Sequence, residues 1–378
     1  MKRIVIISHH MITGGVERAL ISMLKKFDYS QVEIDLYLEH LGGKLFDEIP
    51  KEVKCYKIPT VGGKDIFRHP LKVLKKFFIL RKMSKKKLPF IEQCYFTSKM
   101  LLPLKKEYDV AISYHAPNTV PVFYTIDGIK AGKKILWLHG DMETNGGNTP
   151  VLMKYHEMYD KVYAVGKGAL DSFVGVHPDM KEKTEIFHNF VDIESILVKS
   201  QNGASFDDGF QGTRLLSIGR LDPQKGFDIA IESCKMLVEK GYDFRWYICG
   251  EGNQREELEN LISEYKLENH FILLGNQSNP YTFLKDCNLY VQPSRFEGYC
   301  TTTNEARMLN KPVVTTDVSG AREQFQDCVT GWIVPIDATA IAERIAFCLD
   351  NPKAVREICD RMKNIEFQSA DNINRIFD

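Results

Sequence analysis

Along the chain, short apolar runs recur, each too brief for a helix and each closed by turn residues. Those at residues 4–7, 34–38, 110–113, 134–138 and 162–165 are largely continuous rather than alternating, the pattern of strands buried on both faces of a parallel sheet. Between several of them the apolar positions fall three and four apart, as crossover helices require. The rhythm restarts at 214–218 and continues through 244–248, 271–274, 289–291 and 313–316, with helices predicted over 228–239, 254–265 and 302–309. The predicted class is therefore α/β, as two doubly wound parallel-sheet domains. Residues 200–212, rich in Gly, Ser, Asn, Gln and Asp, lie between the two rhythms and read as a linker. The expected domains are 1–199 and 200–355, and 378 residues are enough for two separate cores.

Composition narrows the picture further. Fifty Lys and Arg balance fifty Asp and Glu, so no overall field favours nucleic acid. The nine cysteines form no C-x-x-C pair, which suits a reducing cytoplasm. The first apolar run is too short for a signal-peptide core or a membrane span, and a cytoplasmic location is expected. One segment departs from the α/β rhythm: residues 68–106 carry eleven lysines and arginines after Arg68, among them Lys72, Lys76, Arg81, Lys82, Lys99 and Lys106, against the single acid Glu92. Leu74, Phe77, Phe78, Leu80 and Phe90 are interleaved with them. Two readings stay open: a peripheral contact with an anionic membrane, or a solvated helical surface whose apolar side packs on the core.

Four stretches bring candidate chemistry to predicted strand ends. In PSRFEGYCTTTNEARMLNKPVV, beginning at Pro293, Glu297 and Glu305 have seven residues between them. A turn at Gly298 and a helix starting near Thr301 would aim free backbone N–H groups and a helix dipole at one point, where a phosphate fits. Carboxylates beside it suit a ligand that also carries hydroxyls, because they accept from hydroxyls and repel phosphate. The plainer alternative is that Glu297 caps a loop and Glu305 complements the helix dipole. In SIGRLDPQKGFDIAIES, Arg220 and Lys225 stand at the carboxyl end of a strand and would neutralise a diphosphate, or else be exposed charges of a turn. In HHMITGGVERAL, Gly14 and Gly15 permit close backbone approach to a ligand. No G-x-G-x-x-G follows any predicted strand, which disfavours a nicotinamide enzyme. In WLHGD, His139 follows a strand, although a lone histidine is more often structural than catalytic. No cluster has metal-ligand spacing, and no metal is expected.

Taken in order, and with HNFVD at 188–192, CGEGNQREEL at 249–258 and KPVVTTDVSGAREQF running on to TGWIV, these stretches resemble the retaining glycosyltransferases of family 4. That family has the GT-B architecture, two Rossmann-like domains facing across a cleft, and the match covers most of the chain. The resemblance implies a hexosyltransferase that moves a sugar from a nucleoside diphosphate sugar, expected to be a UDP-sugar, to an acceptor hydroxyl in polysaccharide or glycolipid synthesis. Arg220 and Lys225 would hold the donor diphosphate with backbone amides of Gly298, Tyr299, Cys300, Thr301 and Thr302. Glu297 would bind hydroxyls of the donor sugar, and Glu305 the ribose. Gly14 and Gly15 would line the phosphate side, His139 would lie near the transferred sugar, and groups near Gly250, Gly252 and Asn276 would read the base. Residues from about 356 to 378 would cross back onto the first domain.

The same resemblance implies no cofactor and no protein nucleophile; the leaving phosphate itself would help deprotonate the acceptor on the same face. The chain departs from the family where Gly298-Tyr299-Cys300 replaces a GFG-type turn and where Thr301, Thr302 and Thr303 replace apolar residues. Hydroxyls there are expected to donate to phosphate. Two alternatives are a catalytically silent glycosyltransferase-like subunit, disfavoured because Arg220, Lys225, Glu297 and Glu305 are all present, and a sugar-nucleotide epimerase of the same fold.

Overall fold

A computed structural model of the chain describes residues 1–12, 14–62, 70–85, 88–140, 142, 146–363 and 372–377. The chain divides into two compact units, Met1–Val191 with Ala370–Asp378, and Asp192–Ser369. The first contains β1 (Lys2–Ser8), α1 (Gly15–Leu24), β2 (Val32–Leu38), β3 (Lys54–Lys57), α2 (Pro70–Lys85), α3 (Phe90–Lys99), β4 (Glu107–Ala116), α4 (Val120–Gly128), β5 (Lys130–Leu138), α5 (Pro150–His156), β6 (Lys161–Ala164), α6 (Lys167–Val176) and β7 (Thr184–Ile186). The second contains α7 (Ile193–Gln201), β8 (Thr213–Ile218), α8 (Phe227–Glu239), β9 (Phe244–Cys249), α9 (Arg255–Glu264), β10 (Phe271–Gly275), α10 (Tyr281–Asp286) and β11 (Leu289–Gln292). It continues with α11 (Thr301–Met308), β12 (Val313–Thr316), α12 (Ala321–Gln324), β13 (Trp332–Val334), α13 (Ala338–Asp350) and α14 (Pro352–Lys363).

Each unit is built on one parallel sheet. The first has the order β3-β2-β1-β4-β5-β6-β7 and the second β10-β9-β8-β11-β12-β13. In both, the chain starts near the middle, winds outward to one edge, then returns and winds to the other. The reversal lies between β1 and β4 in one sheet and between β8 and β11 in the other, and at such a point the loops leaving two neighbouring strand ends part and open a crevice.

The unbroken apolar runs behave as their pattern predicts, with Ile4 to Ile7 all fully buried. Helices carry the complementary period: on α8 the buried Phe227, Ala230, Ile231, Cys234 and Leu237 fall three or four apart, and α13 repeats this with Ile341, Ala342, Ile345 and Ala346. The two helices pack together, pinned by the Ser233 hydroxyl donating to the Ala338 carbonyl at 2.9 Å. In the first unit Trp137 is fully buried against Phe187 at 4.7 Å and Tyr163 at 5.3 Å between ring centres.

The structure departs from the sequence reading in several places. Strands β3, β7 and β13 were not expected, and all three are sheet edges. The stretch 200–212 is not a free linker but part of the second unit. Asp208 accepts from Arg214 at 3.1 Å, from Arg245 at 2.6 Å and from the Tyr247 hydroxyl, and Thr282 donates to the Ala204 carbonyl at 2.6 Å. The units part at Val191 and Asp192, earlier than 199. At the other end, α14 stays with the second unit, and the residues that join the first are Ala370–Asp378. There Arg375 pairs with Glu185 at 2.7 Å, its carbonyl accepts from Tyr163 at 2.6 Å, and Ile376 is fully buried.

The basic segment resolves into two parts. Lys99 and Lys106 are internal ion-pair partners, of Asp127 at 2.5 Å and of Asp35 at 2.8 Å, and α3 puts Ile91 and Cys94 into the core. On α2, by contrast, Leu71, Leu74, Phe77, Phe78 and Leu80 are exposed, Leu71 to 81%. Arg68, Lys86 and Lys87 and the side chains of Lys75 and Lys85 lie outside the described residues. No described helix is long and apolar enough to cross a membrane.

Candidate active site

At the second unit's reversal point, β8 ends at Ile218 and the chain turns from Gly219 through a short 3-10 segment, Pro223–Lys225, into α8. Two glycines in this turn sit in close quarters, and at Gly226 the backbone makes glycine necessary. Gly226 has φ +65°, and a Cβ there would lie 2.2 Å from the Pro293 carbonyl oxygen; a Cβ on Gly219 would press on the Lys225 side chain at 3.1 Å. Lys225 is thereby laid across the strand end. Its ammonium meets Glu297 Oε1 at 2.6 Å, with 15% of the lysine and 8% of the glutamate side chain exposed.

Glu297 is held from below by a chain of buried hydrogen bonds. The Tyr290 hydroxyl donates to Gln292 Oε1 at 2.6 Å, Gln292 Nε2 to Ser294 Oγ at 2.8 Å, and Ser294 Oγ to Glu297 Oε1 at 2.6 Å. The bonds from Lys225 and Ser294 thus end on one oxygen of Glu297, so the carboxylate is fixed while Oε2 is left for another donor. Burial works against the Lys225 ammonium, but the charge of Glu297 beside it prevails and holds its pKa above the ordinary value. The lysine stays charged. Burial pushes the neighbouring Cys300 thiol up, with the charge of Glu297 adding to it, so Cys300 is a protonated thiol and no nucleophile.

After Glu297 the loop reaches α11, whose first turn has no side-chain cap; its leading N–H groups have no partner inside the helix. Gly320, at φ +82°, packs on this loop so closely that a Cβ would lie 3.2 Å from the Gly298 carbonyl oxygen. Glu305, on the same helix, is buried and accepts from the Tyr281 hydroxyl at 3.1 Å. The structure thus pairs Lys225 with Glu297, and Gly298, Tyr299 and Cys300 lead from Glu297 to the start of α11 at Thr301.

Other expected residues are placed differently. The Thr302 hydroxyl donates to Gln292 Oε1 at 3.1 Å, and that of Thr303 lies 2.9 Å from the Cys300 carbonyl and 2.7 Å from Gln324 Oε1. Each hydroxyl has one proton and spends it inside the fold, so only their backbone amides can serve a phosphate. Gly250 donates its amide to the Gly275 carbonyl at 2.9 Å, so of its backbone groups that amide is already engaged. Both Gly250 and Gly252 are glycine because a Cβ would collide with the backbone of the β8 turn, 1.8 Å from Gly219 O and 2.2 Å from Leu221 O. Arg220 is 66% exposed and turned to its neighbour Asp222 at 3.1 Å, and Asn276 is exposed at the end of β10. Sequence reasoning missed Tyr290, Gln292 and Ser294; their signal was polar side chains inside and directly after an otherwise apolar strand.

In the first unit, Gly14 is the extended N-cap of α1 and Gly15 its first residue; Thr13 lies outside the described residues. His139 directly follows β5, beside the Tyr114 ring at 4.7 Å. Its Nε2 is enclosed with no hydrogen-bond partner among the described residues, and burial brings its pKa down to about 3. It is a neutral imidazole. Asp141 of the same motif lies outside the described residues.

Residues 210–366, most of the second unit, match the family model of glycosyl transferases group 1. A Campylobacter jejuni enzyme, N-acetylgalactosamine-N,N'-diacetylbacillosaminyl-diphospho-undecaprenol 4-alpha-N-acetylgalactosaminyltransferase, is 35% identical over 179 residues. That match spans 47% of each chain, so the alignment reaches about half of this relative's length. An uncharacterized glycosyltransferase of Methanocaldococcus jannaschii is 29% identical over 326 residues, 80% of this chain and 73% of the relative. Among solved structures, that of Anabaena HepE with UDP and glucose superimposes with a TM-score of 0.72 at 19% identity, over 100% of this chain and 97% of that one. The fold is GT-B, two α/β units each on a parallel sheet, and the relatives by sequence are glycosyltransferases.

Proposed function

We propose that this chain, with its GT-B fold and its group 1 glycosyl transferase sequence, is a retaining hexosyltransferase that uses a UDP-sugar in polysaccharide or glycolipid synthesis. The observation that carries the reading is the Lys225–Glu297–Ser294 cluster set beside the uncapped first turn of α11. It joins a fixed positive charge and free amides, which suit a diphosphate, to a carboxylate oxygen suited to a sugar hydroxyl. HepE, the structural relative, is known in complexes with UDP and with UDP-glucose, which supports UDP as the nucleotide.

In this reading Lys225, Arg220 and the amides at the start of α11 stabilise the charge that grows on the departing diphosphate. Glu297 Oε2 receives a hydroxyl of the donor sugar, its other oxygen being tied to Lys225 and Ser294, and Glu305 receives the ribose. The bond between the anomeric carbon and the β-phosphate oxygen breaks, the acceptor oxygen bonds to the same face, and the acceptor proton passes to the leaving phosphate. Protein groups meet the diphosphate charge without a metal, so turnover in excess EDTA should equal that without it. We also propose that the enzyme works at the cytoplasmic surface of a membrane, seated through the apolar face of α2 with Arg81 and Lys82 meeting anionic headgroups. The exposure of Leu71, Leu74, Phe77 and Phe78 supports this.

A thermal-shift panel of UDP, GDP and ADP with their sugar conjugates tests the donor assignment, because a ligand that binds only the folded state raises Tm. A shift with UDP compounds, reduced in Arg220→Ala, is the expected outcome. No shift with any nucleotide would overturn the reading in favour of a silent subunit, and epimerised donor without acceptor would favour the epimerase.

A further inference from the structure

A helix start is ordinarily fixed by a side chain that accepts from its leading N–H groups, which occupies the donors an anion would need. The N-cap residue of α11 is Cys300, and no side chain caps the turn. This turn is gripped by its acceptor side instead. Gln324, at the end of α12, donates from Nε2 to the Cys300 carbonyl at 2.9 Å, and its Oε1 lies 2.7 Å from the Thr303 hydroxyl. One side-chain amide thus spans the turn from its N-cap to its third helical residue.

Burial and chemistry allow this grip one arrangement. Thr303 and Gln324 are both buried, so their polar atoms have to be paired within the fold. With the amide turned over, two carbonyl oxygens would face each other at Cys300. In the orientation seen, every donor meets an acceptor: Nε2 the Cys300 carbonyl, and the Thr303 proton Oε1. The helix that carries Gln324 is anchored to the same frame as Glu297. Gly320, its N-cap, packs on the loop at Gly298 and Tyr299, and the Arg322 guanidinium forks onto Asp317 at 2.9 and 2.6 Å. The Thr316 hydroxyl, at the end of β12, donates to the Ser294 carbonyl at 2.6 Å, and Ser294 is the residue whose hydroxyl holds Glu297.

We propose that Gln324 is a positioning residue for the donor diphosphate: by holding the Cys300 carbonyl and Thr303 it fixes the start of α11 and leaves the leading N–H groups to the phosphate. The proposal rests on the diphosphate reading of this site and adds the side chain that sets the direction of those amides. Gln324 acts through α11 rather than on the ligand, and the effect is selective. Loosening the grip deprives the diphosphate of aligned amides, whereas the ribose depends on Glu305, which Tyr281 holds separately at 3.1 Å. The Thr303 hydroxyl also lies 2.9 Å from the Cys300 carbonyl. It can take over part of the grip when Gln324 is lost, so complete loss needs both side chains changed.

The test uses the full chain and two probes, UDP followed by calorimetry and uridine followed by ligand NMR. Gln324→Met should weaken UDP about tenfold and leave uridine unchanged. Thr303→Val combined with Gln324→Met replaces both buried partners by apolar groups, so stability to urea should return close to the wild-type value. UDP should nevertheless stay weaker by about tenfold or more, whereas a merely structural role would restore stability and affinity together. Should the single variant fail to fold, the double variant carries the same comparison of UDP with uridine. Wild-type UDP affinity in Gln324→Met, an equal loss of UDP and uridine, or recovery of UDP binding in the double variant would overturn the proposal. A wild-type chain with no affinity for UDP would instead defeat the donor reading, an outcome distinct from all of these.

Discussion

The two units share a strand order yet equip the same position with opposite chemistry. At the reversal of the second sheet, Lys225 and Glu297 form a buried ion pair on a scaffold of hydrogen-bonded polar side chains. At the reversal of the first, the side chains are imidazoles, one of them depressed far into the neutral form by burial. The sheet thus fixes where a ligand meets the protein, and the residues just past the strand ends decide what it is. A rigid edge with a buried, charged lysine suits a diphosphate; an edge of imidazoles beside Glu39 offers a different set of partners.

The sharpest test of this contrast is Lys225→Met, which removes the cation and strands Glu297 in a buried position. Turnover should fall about 10²- to 10³-fold, together with the UDP thermal shift, and unchanged turnover would erase the distinction between the two edges. Next in size, Gln292→Leu cuts the chain beneath Glu297 and leaves Tyr290 and Ser294 without their shared partner. We expect a loss of about 1–3 kcal/mol in urea unfolding, with a higher KM for donor.

A smaller effect belongs to Asp208, whose pKa is held well below the carboxylate range: burial opposes this, but bonds from Tyr247, Arg245 and Arg214 prevail. A depressed folded-state pKa stabilises above the unfolded value and is lost as pH falls through the folded one. Asp208→Asn should therefore lower Tm at neutral pH by about 2–4 °C and flatten the acid limb of the stability profile. The smallest effect on the isolated protein is that of Phe77→Ser with Phe78→Ser on α2. Stability and donor binding should hold, while sedimentation with anionic vesicles at low salt, expected for the wild type, should be lost.

How far the sequence revealed all this depends on how local each cause is. Central strands were legible because burial on both faces demands unbroken apolar runs such as residues 4–7. The edge strands β3, β7 and β13 were not: β7 and β13 are three residues long, and the four residues of β3 are largely exposed. Lys225, Glu297 and Glu305 were legible from their spacing and turn glycines. The fates of Thr302 and Thr303 were not, because their partners Gln292 and Gln324 reach them only through the tertiary fold. Residues 200–212 misled for the same reason: a loop-like composition says nothing of the arginines and tyrosine that close on Asp208.

The return of Ala370–Asp378 to the first unit has a consequence for the order of synthesis. Tyr163 and Glu185 leave the ribosome long before Arg375, their partner in the finished unit. The second unit, by contrast, has all its residues in hand while that last piece is still to come. The unit whose strands are translated first is thus completed only after the second, and loss of Arg375 would be felt at the β6–β7 edge of the first sheet.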